Sequence, residues 1–117
     1  MATTVVNVRV KYIRPLGYHN LCEWTKNPDN VYIGRKRIVF IENRRFPDVD
    51  SIFANPFKIG RDGTREAVID KYEKYITDRL AEPSMAQALE DLRGKTLGCW
   101  CCPEPCHGDV LIKLLSV

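Results

Sequence analysis

Long hydrophobic runs are missing from this sequence, and so are internal repeats and low-complexity segments. No apolar stretch approaches the roughly 20 residues that span a bilayer. The opening residues, Met1-Ala2-Thr3-Thr4, lack the basic flank and the apolar core of a secretory signal. We therefore expect an intracellular protein, cytoplasmic or nuclear, with no membrane partner.

A large excess of charge of one sign is missing too. The net charge is +3, and basic residues alternate with acidic ones over most of the chain, which excludes an extensive nucleic-acid footprint. Two short basic clusters stand out. They are Arg35, Lys36 and Arg37, followed by Arg44 and Arg45. Each cluster is either a solvated strand end or loop, or a contact for a phosphate or a nucleic acid.

The size and composition favour one globular domain spanning residues 1–117. A chain of 117 residues can bury one core, and 44% hydrophobic and 28% charged residues are ordinary for such a domain. Four of the five cysteines crowd between Cys99 and Cys106, so they indicate a site rather than a set of disulfides. A reducing compartment fits this arrangement.

Four apolar segments predict strands. Residues 5–10 and 31–33 are rich in β-branched side chains, and residues 38–41 could form a hairpin with 31–33. Residues 95–101 have the content of a buried strand. Residues 18–30 are predicted to be a loop with one helical turn near Leu21 to Trp24.

Three segments predict helices. Residues 64–80 repeat apolar side chains at helical spacing after Thr64, a good N-cap. Residues 84–94 begin with the capping-box spacing of Ser84 and Gln87, and residues 106–115 form a closing helix. The order of elements predicts a small α/β domain with a mostly parallel, mixed sheet flanked by helices, in a Rossmann-like arrangement.

The segment from Cys99 to His107 follows a strand and leads into a helix, which is where sites gather in α/β sheets. Cys99 and Cys101 should share one face of the strand, with Trp100 opposite as a ligand contact. Cys106 should lie at a helix N-terminus, where the dipole lowers the pKa of a thiol.

Four readings of this segment stay open. The cysteines could be small core hydrophobes, or Cys106 could be a nucleophile or redox thiol with His107 as its base. Cys99 or Cys101 could bind zinc together with Cys106 and His107, although the spacing is irregular for zinc. The helix N-terminus could also bind an anion without any reactive sulfur.

Asp109 stands in the first turn of that helix, where a carboxylate either stabilises the dipole or assists catalysis. His107 followed by Gly108 leaves room for a ligand. The candidate catalytic residues are therefore Cys106, His107 and Asp109, and Gly108 and Trp100 are candidate ligand contacts.

A second candidate segment runs from Asn55 to Thr64. Its glycines and basic residues before a helix start resemble an anion cradle, although an ordinary turn and N-cap would look the same. The candidate ligand-binding residues here are Asn55, Lys58, Gly60, Arg61 and Thr64.

Four motifs of the chain resemble the family called domain of unknown function 4326. They are Val31-Tyr32-Ile33-Gly34-Arg35, Asn55-Pro56-Phe57-Lys58-Ile59-Gly60, Gly63-Thr64-Arg65-Glu66, and the run of Cys99, Trp100, Cys101, Pro103, Cys106, His107, Gly108 and Asp109. The resemblance covers residues 5–115 and strengthens both candidate segments, but it implies no reaction. Residues 35–54 depart from the family pattern and are predicted to be an inserted segment.

The leading hypothesis is a domain that binds a phosphorylated or nucleotide-like ligand where the two candidate segments meet. Lys58 and Arg61 would hold its anionic groups, and Cys106 and His107 would supply reactive groups. Whether it is an enzyme is left open. The alternatives are a nucleic-acid or protein adaptor, which would use Arg35, Lys36, Arg37, Arg44 and Arg45, and a zinc-stabilised module.

Overall fold

The computed structural model describes residues 2–37, 40–41, 43–101 and 104–116. Five strands and five helices follow one another in these ranges. The strands are β1 (Thr4–Asn7), β2 (Asn30–Tyr32), β3 (Phe40–Ile41), β4 (Arg44–Arg45) and β5 (Thr96–Cys99). The helices are α1 (Val10–Ile13), α2 (Leu21–Thr25), α3 (Arg65–Arg79), α4 (Pro83–Glu90) and α5 (His107–Leu115).

A three-stranded parallel sheet lies at the centre, in the order β1-β5-β2. Thr4 and Asn30 both pair with Thr96, from opposite sides of β5. The chain is therefore a small compact α/β domain, as predicted. A Rossmann-like arrangement is not confirmed, because three parallel strands are too few for the two βαβαβ halves of that fold. The antiparallel pair β3-β4 forms a separate small sheet.

The two faces of β5 support two apolar clusters. Leu97 and Cys99 belong to the larger cluster, which includes the buried side chains of α3, α4 and α5. The smaller cluster contains Trp24 and Val8. A Cβ on Gly98 would lie 2.5 Å from a ring carbon of Trp24, so only glycine lets the indole pack this closely on the central strand.

The predicted helix over residues 64–80 is confirmed. The Thr64 side chain accepts a hydrogen bond from the Ala67 amide at 3.2 Å and caps α3. Val68, Tyr72 and Ile76 form its buried stripe. The predicted helical turn after His19 is also confirmed as α2.

Two predictions about where elements begin and end are wrong. The first strand ends at Asn7, because the Asn7 side chain accepts a hydrogen bond from the Arg9 amide at 2.9 Å and turns the chain into α1. Ser84 does not form a capping box. Helix α4 begins at Pro83, whose missing amide hydrogen costs nothing in the first turn.

The predicted hairpin between residues 31–33 and 38–41 is wrong as well. Phe40–Ile41 pairs instead with Arg44–Arg45, across a turn in which Asn43 has a φ of 63°. Ile38 and Val39 lie outside the described residues. None of the helices in the described ranges has both the length and the apolar character needed to cross a bilayer.

Candidate functional site

The two candidate segments meet around one hollow of about 100 Å³ at the C-terminal end of β5. The first segment contributes Asn55, Phe57 and Ile59 to its lining. The second contributes Cys99, Trp100, Cys101, Pro105, Cys106 and His107. The predicted meeting of the two segments is therefore confirmed, although they are far apart in the sequence.

Gly60, Arg61 and Thr64, three of the predicted ligand-binding residues, do not line this hollow. Each of them contacts a neighbouring part of the protein instead. The Arg61 side chain already has partners within the protein, because its guanidinium lies 2.7 Å from Asp62 Oδ2 and donates to the Pro56 carbonyl at 3.1 Å. Gly60 forms a turn with Gly63 through a backbone hydrogen bond of 2.7 Å. Together with the Thr64 cap, these contacts are those of a turn that leads into a helix.

Asn55 does line the hollow, but its amide already has partners. Its Nδ2 donates to the Val68 carbonyl at 3.3 Å, and its Oδ1 accepts from the Phe57 amide at 2.9 Å. The residue is 8% exposed. Asn55 therefore fastens the loop to α3 and shapes the hollow.

Two buried cysteines face each other at the base of the site. The sulfurs of Cys99 and Cys106 lie 3.2 Å apart. The hydrogen bond between Cys106 and Cys99 and the burial of the sulfur raise the pKa of Cys106 well above its usual value. The Gly108 amide acts in the opposite direction but more weakly. The pKa of Cys106 is therefore raised and not lowered as expected, because the neighbouring sulfur and the apolar surroundings outweigh the helix terminus.

Cys106, Gly108 and Asp109 together begin helix α5. The Cys106 sulfur accepts from the Gly108 amide at 3.3 Å, and the Cys106 amide donates to Asp109 Oδ2 at 3.1 Å, which completes a capping box. A Cβ on Gly108 would lie 2.9 Å from Val5 Cγ2 and 3.0 Å from Ile33 Cδ1. Gly108 therefore lets α5 pack against the sheet, and neither it nor Asp109 lines the hollow.

His107 is the polar residue of the motif that both lines the hollow and has a nitrogen suited to a ligand. Its Nε2 lies 2.7 Å from the Ile33 carbonyl oxygen, so Nε2 carries the hydrogen and donates. In the neutral ring, Nδ1 is then the acceptor. Burial lowers the pKa of His107, which favours this neutral form. The Tyr72 ring packs edge-on at 5.0 Å between centroids.

Three arginines also line the hollow: Arg35, Arg37 and Arg65. The Arg37 guanidinium lies 4.6 Å from the centroid of the Trp100 ring. Arg65 donates to the Pro105 carbonyl at 3.2 Å and so joins α3 to the cysteine segment. Among the described residues, no carboxylate belongs to the lining, and none of the three arginines is in a salt bridge.

Arg65 was not among the predicted site residues, and Arg35 and Arg37 were predicted to contact phosphate, nucleic acid or a protein partner rather than to line this hollow. A signal for Arg65 was present, since it opens the helix directly after the Thr64 cap and faces the same end of the sheet as the cysteine segment. Arg35 follows β2, so it too was predictable at that edge.

The zinc reading gains no support from the geometry. Within the described ranges, no three side chains of His, Cys, Asp or Glu are grouped so that they could hold a metal ion. The Nε2 atom of His107 is already hydrogen-bonded to a carbonyl. The remaining Nδ1 would have to be the ligand, and the carbonyl would then orient the ring.

The fold and the site define a small α/β domain with an arginine-lined hollow beside a buried sulfur pair. The chain belongs to the family described as Domain of unknown function (DUF4326), whose pattern residues 18–117 match. The resemblance in the four sequence motifs is thereby confirmed. No solved structure matches the chain.

Two viral proteins are similar to this chain. An uncharacterised protein of Enterobacteria phage T4 is 42% identical over 60 residues, which cover 50% of this chain and 56% of the phage protein. An uncharacterised protein of Acanthamoeba polyphaga mimivirus is 37% identical over 97 residues, covering 75% of this chain and 68% of the mimivirus protein. The chain thus spans little more than half of the phage relative.

These matches do not test whether residues 35–54 are an insertion, which stays a prediction.

Proposed function

We propose that this protein binds a phosphorylated, nucleotide-like ligand at the hollow where its two site segments meet. The observation that carries the proposal is the lining itself, whose described residues include three arginines and apolar side chains but no carboxylate. Guanidinium groups are the side chains best suited to phosphate, because their planar donors match its oxygens in pairs.

The size of the hollow indicates that it would hold only the ring of the ligand, with the phosphate outside. About 100 Å³ is comparable to the cavities that hold one small ring, and it is too small for a whole nucleotide. Phe57, Val68 and Trp100 offer apolar and aromatic surface for a flat ring. Arg35 and Arg37, which are half-buried and exposed respectively, would hold the phosphate outside.

His107 is the residue suited to read or act on the bound ring. Its neutral imidazole lines the hollow, and Nδ1 can accept a hydrogen bond or a proton from the ligand. The raised pKa of Cys106 keeps that thiol protonated, so it is a poor nucleophile at neutral pH. The proposal therefore places any catalysis on His107 rather than on Cys106 or Asp109.

A thermal-shift screen with nucleosides and their 5′-phosphates tests the proposal. A ligand present at about 100 times its Kd adds about 2.7 kcal/mol to the free energy of unfolding. Arg35→Ala, which we expect to weaken binding about tenfold, should reduce that gain to about 1.4 kcal/mol at the same ligand concentration. Arg14→Ala, which changes an exposed arginine outside the hollow, should keep the full gain. No stabilisation by any nucleotide would refute the proposal.

A second candidate function is nucleic-acid binding, and one contact favours it. Arg45 Nε donates to the Arg37 carbonyl at 3.1 Å, so the two basic clusters lie side by side. Retention on single- or double-stranded nucleic acid should fall steeply with salt, and it should be lost when Arg44 and Arg45 both become alanine. Retention that does not depend on salt would exclude this function.

A further inference from the structure

A basic groove adjoins the hollow and extends its positive surface. The groove is lined by Arg35, Lys36, Arg37, Lys58 and Ile59. Arg35, Arg37 and Ile59 line both the groove and the hollow. The hollow and the groove are therefore adjacent, and a ligand with its ring in the hollow can extend directly into the groove.

We infer that the ligand is a nucleoside polyphosphate, whose chain of two or more phosphates leaves the hollow and runs along this groove. The inference rests on the proposed function and makes it more specific. Arg35 and Arg37 would hold the first phosphate. Lys36 and Lys58 would contact the phosphates that follow.

The count of charges favours a polyphosphate over a single phosphate. One phosphate group carries a charge of about −2 at neutral pH, which Arg35 and Arg37 alone can balance. Lys36 and Lys58 would then face solvent with no anion to bind. Both lysines are exposed, and in the described chain neither side chain is in a salt bridge.

The backbone under these cations is held in place by the rest of the protein. The Lys36 amide donates to Asp50 Oδ1 at 2.8 Å, and the Arg37 amide donates to the Pro47 carbonyl at 3.1 Å. The groove is therefore formed by fixed backbone that carries long cationic side chains. Such an arrangement can adjust to successive phosphates without reordering the loop.

The carboxylate beside Lys58 does not neutralise the positive charge of the groove. Asp62 Oδ2 accepts from the Lys58 amide at 2.8 Å and pairs with the Arg61 guanidinium at 2.7 Å. Arg61 therefore balances this carboxylate, and neither Asp62 nor Asp50 belongs to the lining of the groove. The four cations of the groove keep their excess of positive charge.

Calorimetric titration with the 5′-mono- and triphosphates of adenosine, guanosine, cytidine and uridine tests the inference. At low ionic strength, the best triphosphate should bind about tenfold more tightly than its own monophosphate, since it adds two or more exposed charge contacts. In the Lys36→Ala/Lys58→Ala variant the difference should shrink to about threefold or less, because the triphosphate loses more affinity than the monophosphate does. Lys74→Ala, which removes an exposed lysine that lines neither the groove nor the hollow, should keep the full difference.

The possible failures separate the two proposals. Equal affinity for mono- and triphosphates would overturn the polyphosphate inference and leave the proposed function standing. Absence of binding by every nucleotide would overturn both. If inorganic tripolyphosphate binds as tightly as the best triphosphate, the ring contributes nothing and the ligand is not a nucleoside polyphosphate.

Discussion

The wall of the hollow and its basic rim use their polar groups in opposite ways. In the wall, Cys106 and His107 are buried, and both have hydrogen-bond partners within the protein. In the rim, Arg37 and Lys58 are exposed, and Arg35 is half-buried. The comparison suggests that the cysteine-histidine motif mainly keeps the shape of the hollow, while the cations are free to bind a ligand. Substitutions in the wall should therefore lower stability, and substitutions in the rim should lower affinity.

The largest expected effect is a loss of stability at Gly108, next to His107 in the wall of the hollow. Gly108→Val would push new methyl groups against Val5 and Ile33, where a Cβ alone already meets atoms at 2.9 and 3.0 Å. We expect a loss of about 2–3 kcal/mol in the free energy of unfolding, as for other overpacked sites. Urea unfolding measures this loss. Gly108→Ala should fall between wild type and valine, and a valine variant as stable as wild type would show that α5 is not packed this closely.

The next effect is in the rim, at Arg35. Arg35→Ala should weaken nucleotide binding about tenfold, since a hydrogen bond between charged groups contributes about 1.5–3 kcal/mol. The free energy of unfolding should change by less than about 0.5 kcal/mol. Parallel titration and urea unfolding measure both quantities. A large loss of stability with unchanged affinity would reverse the roles of wall and rim.

Two substitutions of Asp109 test whether its carboxylate stabilises the protein by capping helix α5. Asp109→Ala removes the acceptor for the Cys106 amide and should cost about 1 kcal/mol of stability. Asp109→Asn keeps a side-chain oxygen and should retain most of that stability. Thermal unfolding of the two variants makes the comparison. Equal stability of alanine and asparagine variants would contradict the capping role.

The smallest effect is the pH dependence contributed by His107. Because burial lowers its pKa in the folded protein, the unfolded chain binds a proton at higher pH than the folded chain does. The contribution to stability is fully present above the unfolded pKa of about 6.5 and is lost as the pH falls below it. Urea unfolding between about pH 7.5 and pH 5.5 should show this decrease.

His107→Gln should flatten that part of the pH profile. A His107 variant with the same slope as wild type would mean that another group causes the dependence.

Much of the fold could be predicted from local patterns. Helix α3 was predictable because Thr64 caps a long apolar stripe, and β5 was predictable because residues 95–101 have the apolar content of a buried strand. The end of β1 was not, since alternation of apolar residues does not show that the Asn7 side chain binds the Arg9 amide. Whenever one side chain competes with the backbone pattern, periodicity alone misplaces the boundary.

The site was predictable in position but not in chemistry. The rule that sites gather at the C-terminal ends of parallel strands points to the segment from Cys99 to His107, which begins at the end of β5. It does not point to the 55–64 loop, which follows no strand of the parallel sheet directly. The pKa of Cys106 could not be predicted, because it depends on Cys99, which packs against it only in the folded chain. Arg35, Arg37 and Arg65 come from two segments, so their convergence also required the tertiary structure.

The most direct test of the central claim is a proton-nitrogen NMR titration with the nucleoside triphosphates. The chain has two tryptophans: Trp100 lines the hollow, whereas Trp24 is buried in the smaller cluster. Binding at the hollow predicts a saturable shift of the Trp100 indole signal, with Trp24 unchanged and backbone shifts near Arg35 and Arg65. Saturable shifts confined to other surfaces, with the Trp100 signal unmoved, would contradict the account.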